Sequence, residues 1–191
     1  EVVWPTYETC EIHSMSMEFM TWPWMDRFFK EQVDKYKFTH LASALLFLPY
    51  GVLVDHFQHE VYEHPEMTPA ERKATWKKLQ DLYLPDRDYS ESEALNRGIF
   101  WYRQGHIFAS PFYYIDYTLA QVCALQFWKR TQVDHDENAW EYYIRICDLG
   151  GTKSFLQVVE AANLQSPFKE GALESTAKAA ADWLDAVKDT D

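Results

Sequence analysis

The chain has 191 residues, a formal net charge of −12 and an aromatic content of 17%. A nucleic-acid partner is not expected, because neutralising phosphates requires a basic face. A transmembrane helix is not expected either, because no run of about 18 apolar residues occurs. Three widely spaced cysteines fit a reducing cytoplasm better than a disulfide framework. Six glycines and long stretches of helical periodicity predict an all-α protein with a single helical domain over residues 1–191.

Helical periodicity predicts a first helix over residues 7–19. It places Glu11 and Glu18 on one face, two turns or roughly 10 Å apart along the axis. The neighbouring residues are apolar, and buried carboxylates are costly unless they are paired or bound to a metal. The alternative is a solvated acidic face, and the residues alone favour neither interpretation.

Further helices are predicted from periodicity and from the residues that start and stop helices. The clearest start is Thr68-Pro69-Ala70-Glu71, a capping box with proline at the first helical position. A buried helix should end near Pro49-Tyr50-Gly51, because proline and glycine both disfavour a helix interior. In chain order the predicted helices cover residues 25–30, 40–48, 52–63, a stretch from 69, a stretch capped by Ser90, and residues 118–130, 139–149, 154–163 and 171–188.

His56, His59 and Glu63 are close in the sequence and could form a metal site on their own helix. The zincin motif His-Glu-x-x-His, however, does not occur in the chain. Its two histidines must be four residues apart, and here the residue four after His59 is Glu63. A polar helix face is therefore favoured over a metal site.

One histidine and three tyrosines lie close together: His106, Tyr113, Tyr114 and Tyr117. Each of these side chains carries an N–H or O–H group, and a buried one without a partner costs about 1–3 kcal/mol. The segment therefore lies at a surface or lines a polar cavity where the donors meet a ligand. From Pro111 the pattern becomes helical, so several hydroxyls converge. The alternative is an amphipathic helix whose tyrosines bridge core and solvent.

Three ordered segments together resemble the C-terminal portion of the oligoendopeptidase F-type zinc metallopeptidases, relatives of thimet oligopeptidase. These segments are Glu11-Ile-His-Ser-Met-Ser-Met-Glu18-Phe, the stretch from Phe47 to His59, and the stretch from Arg103 through Gln121. The resemblance implies that the chain is part of the catalytic lobe of a two-lobed helical enzyme. The deep channel of that enzyme would admit only short oligopeptides, which are the expected substrate.

The resemblance also implies roles for individual residues. In the family, zinc is held by the two histidines of His-Glu-x-x-His and by a glutamate on the following helix. Glu11 matches that glutamate, and Glu18 matches a carboxylate that hydrogen-bonds a zinc-bound histidine. The expected donors to the oxyanion of the tetrahedral intermediate are His106, Tyr113, Tyr114 and Tyr117, and Tyr117 is preferred among the tyrosines.

The missing His-Glu-x-x-His helix is a large departure from the family pattern. In the family it lies just upstream of the helix that carries Glu11, and the sequence opens at Glu1 without a methionine or a visible signal peptide. We therefore expect the missing N-terminal part of the same enzyme to supply the other two zinc ligands. The chain alone is expected to be inactive. The alternative function is a non-enzymatic helical module that binds peptides along the aromatic face of residues 112–128.

Overall fold

The computed structural model describes residues 4–188, and every regular element within that range is helical. This confirms the all-α prediction. The α-helices are α1 (Tyr7–Met20), α2 (Asp26–Phe29), α3 (Val33–Glu63), α4 (Pro69–Tyr83), α5 (Glu93–Asn96), α6 (Gly105–Ala109), α7 (Tyr114–Gln132), α8 (Ala139–Leu149), α9 (Phe155–Ala161) and α10 (Glu174–Lys188). Short 3-10 turns lie at Trp22–Trp24, Lys30–Gln32 and Phe100–Arg103.

The chain divides into two compact units. Unit 1 combines the two ends of the chain, of which residues 4–46 and 119–188 are described, and unit 2 is Phe47–Thr118. The boundaries fall within α3 and α7, so neither boundary is a linker. The expectation of one domain over residues 1–191 stays a prediction.

Unit 1 is organised around an apolar core that α1, α7, α8 and α9 share. Ile12, Phe127 and Ile146 are fully buried in it. Burying each such side chain contributes about 1.5–3 kcal/mol. The buried members of this core are Ile12, Met20, Ala120, Cys123, Phe127, Tyr143, Ile146, Phe155, Val158, Val159, Ala162 and Leu164.

Unit 2 has a separate core with large aromatic side chains at its centre. The ring of Phe57 packs edge-on against Trp76 and at a tilt against Trp101, with centroid separations of 5.1 Å in both pairs. Leu53 and Val54 on α3 and Leu79 on α4 complete its buried surface together with Ile107. This core fixes α3 and α4 beside the segment that carries the histidine and tyrosines.

The predicted helix end at Pro49-Tyr50-Gly51 is wrong, because α3 continues through these residues as one helix of 31 residues. A proline inside a helix removes one backbone hydrogen bond and costs about 3 kcal/mol. Leu41 and Leu48 before Pro49, and Leu53 after it, are buried. Their burial outweighs the cost of the proline, which local propensity alone does not reveal.

Two predicted helix starts have different outcomes. The capping box of α4 is confirmed: Glu71 N–H donates to the Thr68 hydroxyl, and the Glu71 carboxylate accepts from the Thr68 backbone N–H. The predicted cap of α5 at Ser90 is wrong, because the Leu95 N–H donates to the hydroxyl of Ser92 instead.

The helical segment Trp22–Glu63 contains a window with a mean hydropathy of 1.4, which is long and apolar enough to cross a membrane by length and composition. Polar residues interrupt this window, so it contains no continuous run of about 18 apolar residues. One third of the window, 33%, is buried inside the structure. The core helix of a soluble protein passes the same test, so this is weak evidence for a membrane span.

Gly51 marks a close approach of α3 to α7 inside unit 2. A Cβ atom at this position would overlap the hydroxyl of Thr118. Replacing glycine by alanine in a helix interior normally stabilises by about 0.5–1 kcal/mol. Because overpacking costs about 1–3 kcal/mol, we expect Gly51→Ala to lower the free energy of unfolding, measured by urea denaturation.

Gly105→Ala is the matched control, because a Cβ there meets no atom within 4 Å. Adding Thr118→Ala to Gly51→Ala should recover part of the lost stability, since it removes the overlapping hydroxyl. A Gly51→Ala protein as stable as the parent would contradict the close approach.

Candidate functional site

A tight reversal between α6 and α7 builds the histidine–tyrosine site. Phe112 lies in this turn with a φ of 62°, a backbone conformation that non-glycine residues rarely adopt. Its N–H donates to Oε1 of Gln58 at 2.8 Å, and Gln58 is fully buried on α3. The Phe112 ring packs against His59 and Tyr62 with centroid separations of 5.0 Å. These contacts offset the strain and fix the direction in which α7 begins.

The reversal brings together all four side chains that the sequence predicts to be oxyanion donors. The His106 ring lies 5.1 Å from the Tyr114 ring and 5.6 Å from the Tyr117 ring, both edge-on, and 6.1 Å from the Tyr113 ring. The Tyr117 hydroxyl is 3.3 Å from Nε2 of His106. All four side chains are half-buried, so the site is partly open to solvent.

A glutamine holds the opposite side of the His106 ring. The Gln104 amide N–H donates to Nδ1 of His106 at 2.8 Å, and the Tyr50 hydroxyl donates to the Gln104 Oε1, also at 2.8 Å. A neutral imidazole has one donor and one acceptor nitrogen. Because Nδ1 accepts, the ring proton lies on Nε2, the nitrogen that faces Tyr117.

Two phenols, Tyr114 in the site and Tyr50 beside Gln104, keep their protons over a wide pH range. Burial, with a smaller contribution from Tyr117, raises the pKa of Tyr114 above its usual value of 10. Burial followed by Tyr114 also raises the pKa of Tyr50. Both hydroxyls are therefore available as hydrogen-bond donors at neutral pH.

The carboxylates of α1 lie in unit 1, and neither is fully buried. Glu11 is half-buried and its Oε2 accepts from the Ser14 hydroxyl at 3.0 Å, whereas the Glu18 side chain is 59% exposed. The apolar side chains of α1 face the core instead, Ile12 and Phe19 among them. The cost of buried carboxylates thus gives no support for a metal here.

Glu18 contacts a histidine that the sequence analysis did not single out. Its Oε2 lies 3.0 Å from Nε2 of His40, and Nδ1 of His40 accepts from the Trp22 indole N–H at 2.9 Å. The Phe19 ring stacks on His40 with a centroid separation of 4.5 Å. His40 therefore donates from Nε2 to Glu18. Hydrogen bonds at both ring nitrogens and the Phe19 ring on one face hold the imidazole in place.

Residues 4–188 contain no group of three side chains that could hold a metal ion. His56 lies 3.4 Å from Glu60, and His59 lies 3.4 Å from Asp55, so the two histidines have separate carboxylate neighbours on α3. Glu11 is a half-buried carboxylate on α1, and a carboxylate oxygen is one of the ligand types that zinc accepts. Any zinc at Glu11 would need further ligands from outside the described residues.

Residues 1–178 match the sequence model of peptidase family M3. The chain is 62% identical to a solved protein assigned as oligoendopeptidase F, with a TM-score of 0.91 over 95% of this chain and 32% of that one. It is 55% identical to PZ peptidase A with an inhibitor bound, with a TM-score of 0.94 over 98% of this chain and 33% of that one.

A third match is a protein assigned as oligoendopeptidase F from Bacillus anthracis str. Ames, with 56% identity and a TM-score of 0.82 over 98% of this chain and 30% of that one. The chain thus spans about a third of the length of these solved structures. Comparison with curated proteins gives no match.

The hydrogen bond from Gln104 predicts which nitrogen of the His106 ring carries the proton. We expect ¹⁵N shifts of the His106 ring to show the Nε2–H tautomer almost exclusively, and Gln104→Leu to raise the share of the Nδ1–H tautomer because Nδ1 loses its donor. Gln32→Leu, at an exposed position in unit 1, is the matched control. An Nδ1–H tautomer in the parent protein would rule out the assigned hydrogen-bond chain.

Proposed function

We propose, because the chain belongs to peptidase family M3, that it forms part of a zinc-dependent endopeptidase that hydrolyses short oligopeptides. The observation that carries this proposal is the convergence of His106 and three tyrosines, with the proton of His106 held on Nε2 by Gln104. Donors in such an arrangement suit a reaction that builds negative charge on an oxygen atom.

Glu11 is the residue of this chain proposed to hold the zinc, as one ligand of three. Zinc, when bound, supplies a Lewis acid that polarises the scissile carbonyl and lowers the pKa of water. The other two ligands are proposed to be histidines of a His-Glu-x-x-His helix, which these 191 residues do not contain. A carboxylate oxygen is a common third ligand of catalytic zinc.

The proposed role of His106 and Tyr117 is to stabilise the oxyanion that forms when water adds to the peptide carbonyl. The distance of 3.3 Å between Nε2 of His106 and the Tyr117 hydroxyl is long for a hydrogen bond. The Nε2–H is therefore only weakly engaged by Tyr117 and remains available to a developing oxyanion. Tyr113 and Tyr114 flank the same ring and are proposed as further donors to the substrate.

Glu18 is proposed to hydrogen-bond a zinc-bound histidine and so to orient its ring. Its Oε2 already accepts from an imidazole N–H, that of His40. A carboxylate offers about four acceptor positions on two oxygens. The contact with His40 is therefore compatible with a second histidine on the same side chain.

The proposed partners are an oligopeptide substrate and the remaining part of the same enzyme. We also propose a cytoplasmic location. Cys10, Cys123 and Cys147 are all free thiols, as expected in a reducing compartment.

The first test removes the Tyr117 hydroxyl in the full-length protein. We expect Tyr117→Phe to lower kcat for a short peptide about 10²–10³-fold and to change KM far less, because the lost hydrogen bond forms mainly in the transition state. Tyr142→Phe on α8 is the control for a phenol outside the site. An unchanged kcat would exclude Tyr117 from the mechanism.

The second test addresses Glu11. We expect Glu11→Ala to lower the zinc content of the full-length protein, measured by atomic absorption after dialysis, and to lower peptidase activity in parallel. Glu141→Gln, which removes one exposed carboxylate on α8, should change neither quantity. Full zinc content in Glu11→Ala would show that another residue is the ligand.

A further inference from the structure

Unit 2 contains a cavity of about 330 Å³ whose wall includes Gln104 and Tyr114, two residues that also contact the His106 ring. It is bounded by residues of α3, α4, the loop that follows α4, and the 3-10 turn Phe100–Arg103. Its volume lies at the lower end of the range of about 300–1,000 Å³ that is typical of small-molecule sites.

Most of the cavity wall is aromatic. Tyr50 and Phe100 face each other edge-on with centroids 6.3 Å apart, and Phe100 stacks on Trp76 at 6.5 Å. Tyr89 lies 5.9 Å from Phe100 and also lines the cavity. Such walls suit a ligand with a flat or apolar body.

The charge of the wall is exclusively positive. Arg87 and Arg103 line the cavity, and no aspartate or glutamate does. Asp88 is adjacent in sequence to Arg87, but its carboxylate accepts from the backbone N–H and the hydroxyl of Ser90. Within residues 4–188 neither guanidinium forms an ion pair, and Arg103 instead lies over the Phe100 ring at 5.7 Å.

A buried donor in the wall has no acceptor. Gln80 is 1% exposed, and its Oε1 accepts from the Trp76 indole N–H at 3.1 Å. Its Nε2 has no hydrogen-bond partner among the described residues. A buried unpaired donor costs about 1–3 kcal/mol, and this nitrogen is buried behind the cavity surface.

We propose that this cavity binds a carboxylate that carries an aromatic or other apolar body. The guanidinium groups of Arg87 and Arg103 form the anion site, because planar guanidinium pairs with a carboxylate through two parallel hydrogen bonds. The aromatic wall accommodates the apolar body of the ligand. Two sources share this chemistry: the C-terminal residue of a peptide, and a free small acid. The inference holds whether or not the chain contributes to peptide hydrolysis.

The test compares an acid with its uncharged amide. N-acetyl-L-phenylalanine and N-acetyl-L-phenylalanine amide are titrated into the full-length protein by calorimetry, with a metal chelator present so that zinc cannot bind the carboxylate. We expect the acid to bind at least about tenfold more tightly than the amide, because only the acid makes charge-assisted hydrogen bonds. Equal binding of acid and amide, or no binding of the acid at millimolar concentration, would overturn the proposal.

Two variants locate the binding. Arg103→Gln and Arg87→Gln should each weaken binding of the acid about tenfold or more and leave binding of the amide unchanged. Arg97→Gln is the matched control: it removes one exposed arginine of unit 2 that does not line the cavity. Circular dichroism checks that each variant folds. Two cavity variants are used, so the test remains valid if one of them does not fold. Binding that persists in both cavity variants would place the acid elsewhere.

The two sources are separated with the tetrapeptide Ala-Ala-Ala-Phe in its acid and amide forms under the same conditions. Binding of the acid form that depends on Arg103 identifies a peptide C-terminus as the ligand class. If N-acetyl-L-phenylalanine binds and the tetrapeptide acid does not, the ligand class is a free small acid. Either result supports the anion site.

Discussion

The hydrogen bond from the Phe112 N–H to the buried amide of Gln58 is the constraint on which the candidate site depends. It holds a non-glycine residue in a left-handed conformation, which costs about 1–3 kcal/mol and persists only when the surroundings enforce it. Without this turn, α6 and α7 would not reverse, and His106 would not meet the tyrosines of α7. The donors of the site therefore owe their positions to a glutamine on another helix.

Local patterns were sufficient for some of the helix boundaries that neighbouring residues set. The capping box at Thr68 and the predicted helix over residues 139–149, which ends at Gly150, are reproduced by the structure, because caps and stops act within one turn of the chain. Pro49 shows where such rules fail. Its cost is local, but the apolar burial that outweighs it arises from side chains distributed along all of α3.

The site shows the same division between local and distant effects. Sequence spacing was enough to select His106, Tyr113, Tyr114 and Tyr117, which the structure brings together. The sequence did not reveal the groups that hold His106 and His40 in place, because they come from distant positions. Tyr50 acts on His106 through Gln104, and Trp22 donates to His40 across 18 residues. The only signal was composition, because a polar side chain within an apolar stretch, such as Gln58, requires a hydrogen-bond partner when it is buried.

Two side chains belong both to the support of His106 and to the wall of the arginine-lined cavity. Gln104 donates to His106 and accepts from Tyr50, and both residues line the cavity. A carboxylate beside Tyr50 would compete with Gln104 for the phenol proton, because charged acceptors form the stronger hydrogen bonds. The Gln104 amide would then be free to rotate, and the His106 proton would lose its fixed position. Since linkage between two sites is reciprocal, a ligand that draws on the Nε2–H of His106 would in turn change affinity for the carboxylate.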